Sequence, residues 1–278
     1  MKDYVIITDS SADLTDEMMT ELGVQEMIPL YMHIADEVIA DDKALSIPAL
    51  FQKMKECTTK MTSSCGDPET WKSAIEKAKN VFIITLSKKI SGSYSSASVG
   101  LDMAIEDSGC EGYVFDSQSA ASGETLLTYK LRDFINQGLS FADIVEKTEA
   151  FISKMRTFFV LDDISILVKN GRLNQITGTL VQILGIKPIL GSKDGVIELF
   201  GKVRGYKNIA DKMVSMIASS GRDIDGDDFV ISHCNNLPLA QEIVDKAKAQ
   251  FNFGKMRIVE MRGLSSFYAC DKGICMSF

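Results

Sequence analysis

The regular alternation of strand-like and helix-like segments in the first half of the chain is the feature that most restricts its fold. Tyr4 to Ile7 is a short apolar run typical of a buried strand, and Val81 to Leu86 and Tyr113 to Phe115 are further runs of this kind. Helix signals lie between these runs, with Thr15 as a candidate N-cap and Gly23 as the residue that ends the first helix. Strands that alternate with helices predict a parallel sheet with helices on both faces.

Further helix starts are marked by a short polar residue before a proline or an apolar pattern. Ser46 and Asp67 each precede such a start, and Ser140 begins a helical pattern that runs to Met155. A long helix is predicted to end near Asn136, before a glycine.

The pattern changes after residue 156. Thr157 to Leu161 is a predicted strand and Leu173 to Leu184 a predicted helix. Pro188 to Gly191 and Val196 to Val203 are apolar runs that flank an Asp-Gly pair, which is a strong hairpin signal.

These patterns predict an α/β protein of two domains. Residues 1–156 would form an N-terminal domain with a parallel sheet flanked by helices. Residues 157–278 would form a C-terminal α+β domain with a mixed or antiparallel sheet, whose later strands are Phe229 to Ser232 and Met256 to Glu260. A chain of 278 residues fits this division, because domains average roughly 150 residues.

Composition and charge exclude several classes of protein. No apolar run approaches the roughly 18–20 residues of a transmembrane helix, and the first residues lack a signal peptide, so we expect a cytoplasmic protein without membrane insertion. The net charge is −8, which argues against nucleic acid as a partner. Six cysteines without a C-x-x-C pair predict free thiols, and only two histidines argue against a histidine-rich metal site.

Three hydroxyl-rich turns are candidate binding elements, and they share a position before a helix or after a strand. They are Thr62-Ser63-Ser64, Ser91-Gly92-Ser93 and Asp116-Ser117-Gln118-Ser119. Ligands of open parallel sheets bind at the carboxyl ends of the strands, where helix N-termini attract carboxylates and phosphates. Ser91 fits such a seat best, although serine before a helix is most often only a cap.

An enzyme is the alternative that these residues leave open. Ser91 as a nucleophile would need a base, and the candidates are His233 and Asp116. This alternative is a hydrolase or phosphotransferase that acts on a small anionic substrate. A regulatory protein that senses its ligand and binds another protein is a third hypothesis.

Several motifs together resemble the DegV family of bacterial fatty-acid-binding proteins. They occur in one order over nearly the whole chain: Ile7-Thr8-Asp9-Ser10-Ser11-Ala12-Asp13-Leu14, Thr62-Ser63, Ser91-Gly92-Ser93-Tyr94, Lys169-Asn170-Gly171-Arg172-Leu173 and Ile186-Lys187-Pro188-Ile189-Leu190 with Asp194-Gly195.

The resemblance implies two α/β domains with a long-chain fatty acid buried in a tunnel between them. It implies that Thr62 and Ser91 bind the carboxylate, with Ser63, Gly92 and Ser93 beside them. Such a protein is a carrier with no catalytic residue, metal or cofactor, and some members present the acid to a separate fatty acid kinase.

Basic residues are implied to face that kinase. They correspond here to Arg172 and Arg204, which could also form a rim that holds an anion.

The sequence departs from the family pattern at two places. Thr62-Ser63-Ser64-Cys65-Gly66 replaces the usual Thr-Ser-Gln-Pro-Ser, and the C-terminal His-Thr-Gly-Pro-Gly segment is absent. Tyr268 lies near the missing histidine, so we expect its phenol to donate a hydrogen bond to the ligand instead.

Overall fold

A computed structural model describes residues 4–173 and 185–278, which form three sheets packed against helices. The strands are β1 (Tyr4–Asp9), β2 (Val24–Ile28), β3 (Tyr31–Ile34), β4 (Glu37–Ala40), β5 (Thr62–Ser64), β6 (Asn80–Thr85), β7 (Glu111–Asp116), β8 (Thr157–Val160), β9 (Ile186–Lys193), β10 (Val196–Arg204), β11 (Phe229–His233), β12 (Met256–Glu260) and β13 (Ile274–Ser277). The helices are α1 (Asp16–Leu22), α2 (Ile47–Glu56), α3 (Pro68–Ile75), α4 (Ser93–Ser108), α5 (Ser122–Asn136), α6 (Phe141–Lys154), α7 (Ser165–Lys169), α8 (Ile209–Ser219), α9 (Leu237–Gln250) and α10 (Gly263–Ala269).

The first sheet has four strands in the order β2-β1-β6-β7, and every pair in it is parallel. Alternate residues of β1 enter different cores, since Ile6 packs with α5 and α6 residues while Ile7 packs with α3 and α4 residues. The predicted parallel sheet with helices on both faces is therefore confirmed.

The second sheet has six strands in the order β10-β9-β8-β13-β11-β12. β9 and β10 form the predicted antiparallel hairpin, with Asp194 and Gly195 at positive φ in its turn. β11 and β12 are parallel while the other pairs are antiparallel. The sheet is mixed, as predicted.

Strand β8 separates two environments in the second sheet. Phe158 and Val160 lie in a core with α8 and α9, whereas Thr157, Phe159 and Leu161 line a cavity on the opposite face. The division into domains 1–156 and 157–278 remains our proposal, and it is supported by the position of β8 as the first strand of the six-stranded sheet in chain order.

A third sheet of three strands, β4-β3-β5, corrects one interpretation of the sequence. Thr62-Ser63-Ser64 was interpreted as a turn, which is wrong, because these residues are strand β5 and pair antiparallel with β3. Pairing with a distant strand overrides the weak local preference of a hydroxyl-rich segment.

The sequence patterns also leave α8, α10 and β13 unpredicted. The predicted helix from Leu173 to Leu184 extends over residues 174–184, which lie outside the described residues.

Candidate functional site

A cavity of about 280 Å³ lies between the first and second sheets and is closed on a further side by α10 and β5. Most of its wall is apolar, contributed by Leu30, Leu86, Ile90, Ala120, Ala121, Phe159, Leu161, Leu167, Ile197, Met261, Leu264, Ala269 and Cys275. A concave apolar site with a few placed polar groups is typical of a small-molecule binding site.

The start of α4 supplies one polar part of the wall. Ser91 and Gly92 line the cavity, and Ser91 Oγ accepts a hydrogen bond of 3.1 Å from the Ser93 backbone N–H. The N-terminus of this 16-residue helix carries a partial positive charge that favours an anion. Ser91 is therefore placed as the sequence predicted, at a helix start beside the cavity.

The hydroxyl of Ser93 has a supporting position behind the cavity. It donates a 2.6 Å hydrogen bond to Asp9 Oδ2, and Ser93 is not a cavity-lining residue. Asp9 also accepts from the backbone N–H groups of Leu86 at 3.0 Å and Ser11 at 3.2 Å. One buried carboxylate thus fixes both ends of the loop that carries Ser91.

Burial shapes the ionisation of this carboxylate. Loss of water raises the pKa of Asp9, although its hydrogen bonds act in the opposite direction. Burial also raises the pKa of Glu124, and the nearby charge of Asp9 raises it further. Both effects favour the protonated form of Glu124.

The second polar part of the wall comes from β5 and α10. Ser63 Oγ and the Tyr268 phenol lie 2.7 Å apart and both line the cavity, although 205 residues separate them in the chain. The segment after β5 is held against α4, because Ser96 Oγ donates a 2.6 Å hydrogen bond to the Gly66 carbonyl. The hydroxyls of Ser63, Ser91 and Tyr268 thus belong to adjoining elements.

The two basic residues that the sequence singled out lie in different places. Arg172 lines the cavity, and its Nε donates a 3.1 Å hydrogen bond to the carbonyl of Ile90, the residue before Ser91. Arg204 is an exposed residue at the end of β10 and is not part of the cavity wall.

Thr62 is the remaining candidate residue. It pairs with His33 across the third sheet, and it does not line the cavity. The next two residues of β5, Ser63 and Ser64, both line it.

Several further cavity residues were not predicted as ligand contacts. They are Ser11, Cys65, Ser87, Thr157, Ser192, Gly195 and Ser265. Ser64, Gln118 and Ser119 also line the cavity, and they belong to the hydroxyl-rich segments that the sequence indicated. Ser87 closes a contact between the sheets, since its Oγ donates a 2.7 Å hydrogen bond to the Gly195 carbonyl in the β9–β10 turn.

The bases considered for an enzyme do not adjoin Ser91. His233 Nδ1 accepts from the backbone N–H of Asn236, and burial lowers the pKa of this histidine. The Asp116 carboxylate accepts from the backbone N–H groups of Lys88 and Gln118. Neither residue is among the described residues that line the cavity.

None of the helices within residues 4–173 and 185–278 combines the length and the apolar character that a membrane crossing requires. Within the same ranges, no three His, Cys, Asp or Glu side chains lie together in a way that could hold a metal ion.

Two α/β layers that enclose an apolar cavity are typical of a protein that binds a small apolar ligand. The chain belongs to the DegV family, whose model matches residues 3–277. A DegV domain-containing protein of Streptococcus pneumoniae strain R6 is 33% identical over an alignment of 278 positions. The alignment covers 99% of this chain and 98% of the relative.

Solved structures give the same family. A DegV family protein from Ruminococcus gnavus, refined with vaccenic acid, has 35% identity, covers 99% of both chains and superposes with a TM-score of 0.94. The fatty acid kinase B3 protein of Streptococcus pneumoniae, loaded with linoleic acid, has 32% identity and a TM-score of 0.90 over 100% of this chain and 99% of that one. A DegV family protein from Eubacterium eligens, loaded with heptadecanoic acid, has 25% identity and a TM-score of 0.91 over 99% of both chains.

Proposed function

We propose that this protein binds a long-chain fatty acid in the cavity between its sheets and presents the carboxylate to a fatty acid kinase. The observation that carries the proposal is the cavity itself, in which an apolar wall meets the hydroxyls of Ser63, Ser91 and Tyr268. Relatives with 25–35% identity were crystallised with vaccenic, linoleic and heptadecanoic acids, which supports this class of ligand.

The two parts of the wall match the two parts of a fatty acid. Burial of the acyl chain contributes roughly 0.8 kcal/mol per methylene, so the apolar wall supplies most of the binding free energy. A buried carboxylate still needs hydrogen-bond partners. In our proposal the hydroxyls of Ser63, Ser91 and Tyr268 bind it together with the α4 N-terminus, and Arg172 supplies a positive charge.

A kinase partner gives Arg204 a role outside the cavity. This side chain is exposed at the end of β10, where it is accessible to another protein. The fatty acid kinase B3 relative supports this partner class. The protein itself then acts as a carrier, and the fatty acid is its ligand rather than a cofactor.

We place the protein in the cytoplasm. Its six cysteines, Cys57, Cys65, Cys110, Cys234, Cys270 and Cys275, are all free thiols, which suits a reducing compartment.

Native mass spectrometry of the purified protein followed by lipid extraction tests the proposal. We expect an adduct of fatty-acid mass, and weaker palmitate binding in Ser91→Ala and Tyr268→Phe. Matched controls are Ser108→Ala at the far end of α4 and Tyr113→Phe, whose phenol bonds to Glu149. A mass spectrum without a lipid adduct, both before and after palmitate and oleate are added, would contradict the proposal.

A further inference from the structure

We propose that Asp41 is a positioning residue for the head-group site, because its carboxylate caps α10 and thereby holds the Tyr268 phenol against Ser63. This inference rests on the proposed function and adds a residue that does not itself touch the ligand.

Both side-chain oxygens of Asp41 accept hydrogen bonds from the start of α10. Its Oδ1 accepts a 2.9 Å hydrogen bond from the backbone N–H of Gly263, and its Oδ2 accepts a 2.8 Å bond from that of Leu264. The first N–H groups of a helix have no partner within the helix, so a carboxylate that accepts two of them fixes the helix end in both position and direction. Asp41 is 2% exposed, which shields these bonds from water.

Asp13 completes the cap from another part of the chain. Its Oδ1 accepts a 2.8 Å hydrogen bond from the backbone N–H of Arg262. Three successive N–H groups, those of residues 262, 263 and 264, therefore donate to the buried carboxyl groups of two residues that lie more than 220 positions earlier in the sequence.

Gly263 shows how closely Asp41 approaches. A Cβ atom at residue 263 would lie 2.6 Å from Asp41 Oδ1 and 2.2 Å from Leu45 Cδ2. Any larger residue at this position would displace the carboxylate or the helix.

Asp41 and Ser63, the hydroxyl partner of Tyr268, both lie in or beside the third sheet. Asp41 directly follows β4, and Ser63 lies in β5; both strands pair with β3. α10 has seven residues, or about two turns, and Tyr268 lies in its second turn, five positions after Gly263. The third sheet therefore holds α10 at its start through Asp41 and at Tyr268 through Ser63, so that a shift at the cap moves the phenol.

The first test follows Tyr268 in the ligand-free protein by fluorine NMR after 3-fluorotyrosine labelling. The Tyr268 resonance is the one that disappears in Tyr268→Phe. We expect it to shift in Asp41→Asn, because the amide NH₂ opposes one backbone donor. It should stay unchanged in Asp42→Asn, an exposed neighbour whose side chain accepts a hydrogen bond from the Ala44 backbone N–H. An unchanged resonance in Asp41→Asn would overturn the proposal.

The second test measures palmitate affinity in a double-mutant cycle. We expect Asp41→Asn to weaken binding about tenfold in the wild-type background and less than about threefold in the Tyr268→Phe background. An equal loss in both backgrounds would indicate a general structural role and overturn the positioning role.

Two provisions keep the tests decisive. If Asp41→Asn does not fold, Gly263→Ala displaces the same contact while it keeps the carboxylate, and the same resonance shift is expected. If wild-type protein binds no palmitate, the proposed function fails, while the fluorine spectra still decide whether Asp41 positions Tyr268.

Discussion

The two polar parts of the cavity wall are supported in different ways. The part around Ser91 belongs to the parallel sheet, and its support is Asp9, which lies at the end of β1 and reaches the neighbouring loop. The part around Tyr268 belongs to α10, and its support comes from Asp13 and Asp41, far earlier in the chain. The first part is therefore supported from the neighbouring strand of the same sheet, 77 to 84 positions earlier in the chain, whereas the second is supported from segments more than 220 positions earlier.

This difference predicts which substitutions act on one part alone. Substitution of Asp9, which supports Ser91, should destabilise the parallel sheet together with the site. Substitution of Asp13 or Asp41, which support Tyr268, should alter the contact between the third sheet and α10.

The largest expected effect concerns the pH dependence of stability at Asp13. Burial raises the pKa of Asp13 from 3.8 to about 8, so the folded protein holds a proton that the unfolded chain releases above pH 3.8. The proton that Asp13 binds in the folded state raises the free energy of unfolding by an amount on the order of a few kcal/mol. This contribution is fully present below pH 3.8 and is lost as the pH rises to about 8. We expect Asp13→Asn to flatten the decline measured by urea unfolding between pH 5 and pH 8. Asp245→Asn, an exposed carboxylate on α9, should leave the slope as in wild type, and an unchanged slope in Asp13→Asn would refute the prediction.

The next effect tests how far Asp9 stabilises the loop that carries Ser91. Asp9→Ala leaves the donors of Ser11, Leu86 and Ser93 without their acceptor, and we expect the free energy of unfolding to fall by about 3 kcal/mol. Asp67→Ala, which removes an exposed N-cap from α3, should cost only about 1 kcal/mol. Equal losses in urea titrations of the two variants would show that Asp9 is no more than an ordinary cap.

A smaller effect compares the two parts at the ligand. Ser91→Ala should weaken palmitate binding about tenfold, since it removes one hydrogen bond to a charged group. Isothermal titration with palmitate and methyl palmitate separates head-group from tail contributions, because the ester carries no charge. The prediction fails if both ligands lose affinity equally.

The smallest effect tests the contact between the sheets at the hairpin. Gly195 has φ +81°, and a Cβ there would lie 2.5 Å from Ser87 Oγ; Gly109 has φ +68° and open space around it. Alanine is strained by the left-handed backbone at both positions, and only at residue 195 does its Cβ also meet Ser87. We therefore expect Gly195→Ala to lower the free energy of unfolding by about 1 kcal/mol more than Gly109→Ala does. A similar melting temperature for the two variants would mean that the Ser87 contact contributes little.

Sequence reasoning succeeded where structure is decided by neighbours in the chain. Thr15, Ser46, Asp67 and Ser140 are the N-caps of α1, α2, α3 and α6, and each accepts a hydrogen bond from a backbone N–H in the first turn. The hairpin was equally accessible, because Asp194 and Gly195 adopt the positive φ angles that its turn requires.

The same reasoning failed where distant partners decide the structure. Thr62-Ser63-Ser64 has no strand pattern of its own and becomes β5 by pairing with β3. α10 begins at a glycine and takes its cap from Asp13 and Asp41, which no local pattern reveals. Resemblance to a family pointed to Thr62, Ser91, Ser93, Arg172 and Arg204, and of these the structure places Ser91 and Arg172 in the cavity wall. Family motifs locate the segment, and the packing of that segment against distant elements decides which of its side chains line the cavity.

The place of β13 has a consequence for biosynthesis. This strand lies in the interior of the second sheet, between β8 and β11, although it is made of residues 274–277. The first sheet has all its strands once residue 116 has left the ribosome, while β8 and β11 have no common partner until the last strand is synthesised. The second sheet can therefore complete its wall of the apolar cavity only after residues 274–277 have been synthesised, long after the strands of the first sheet.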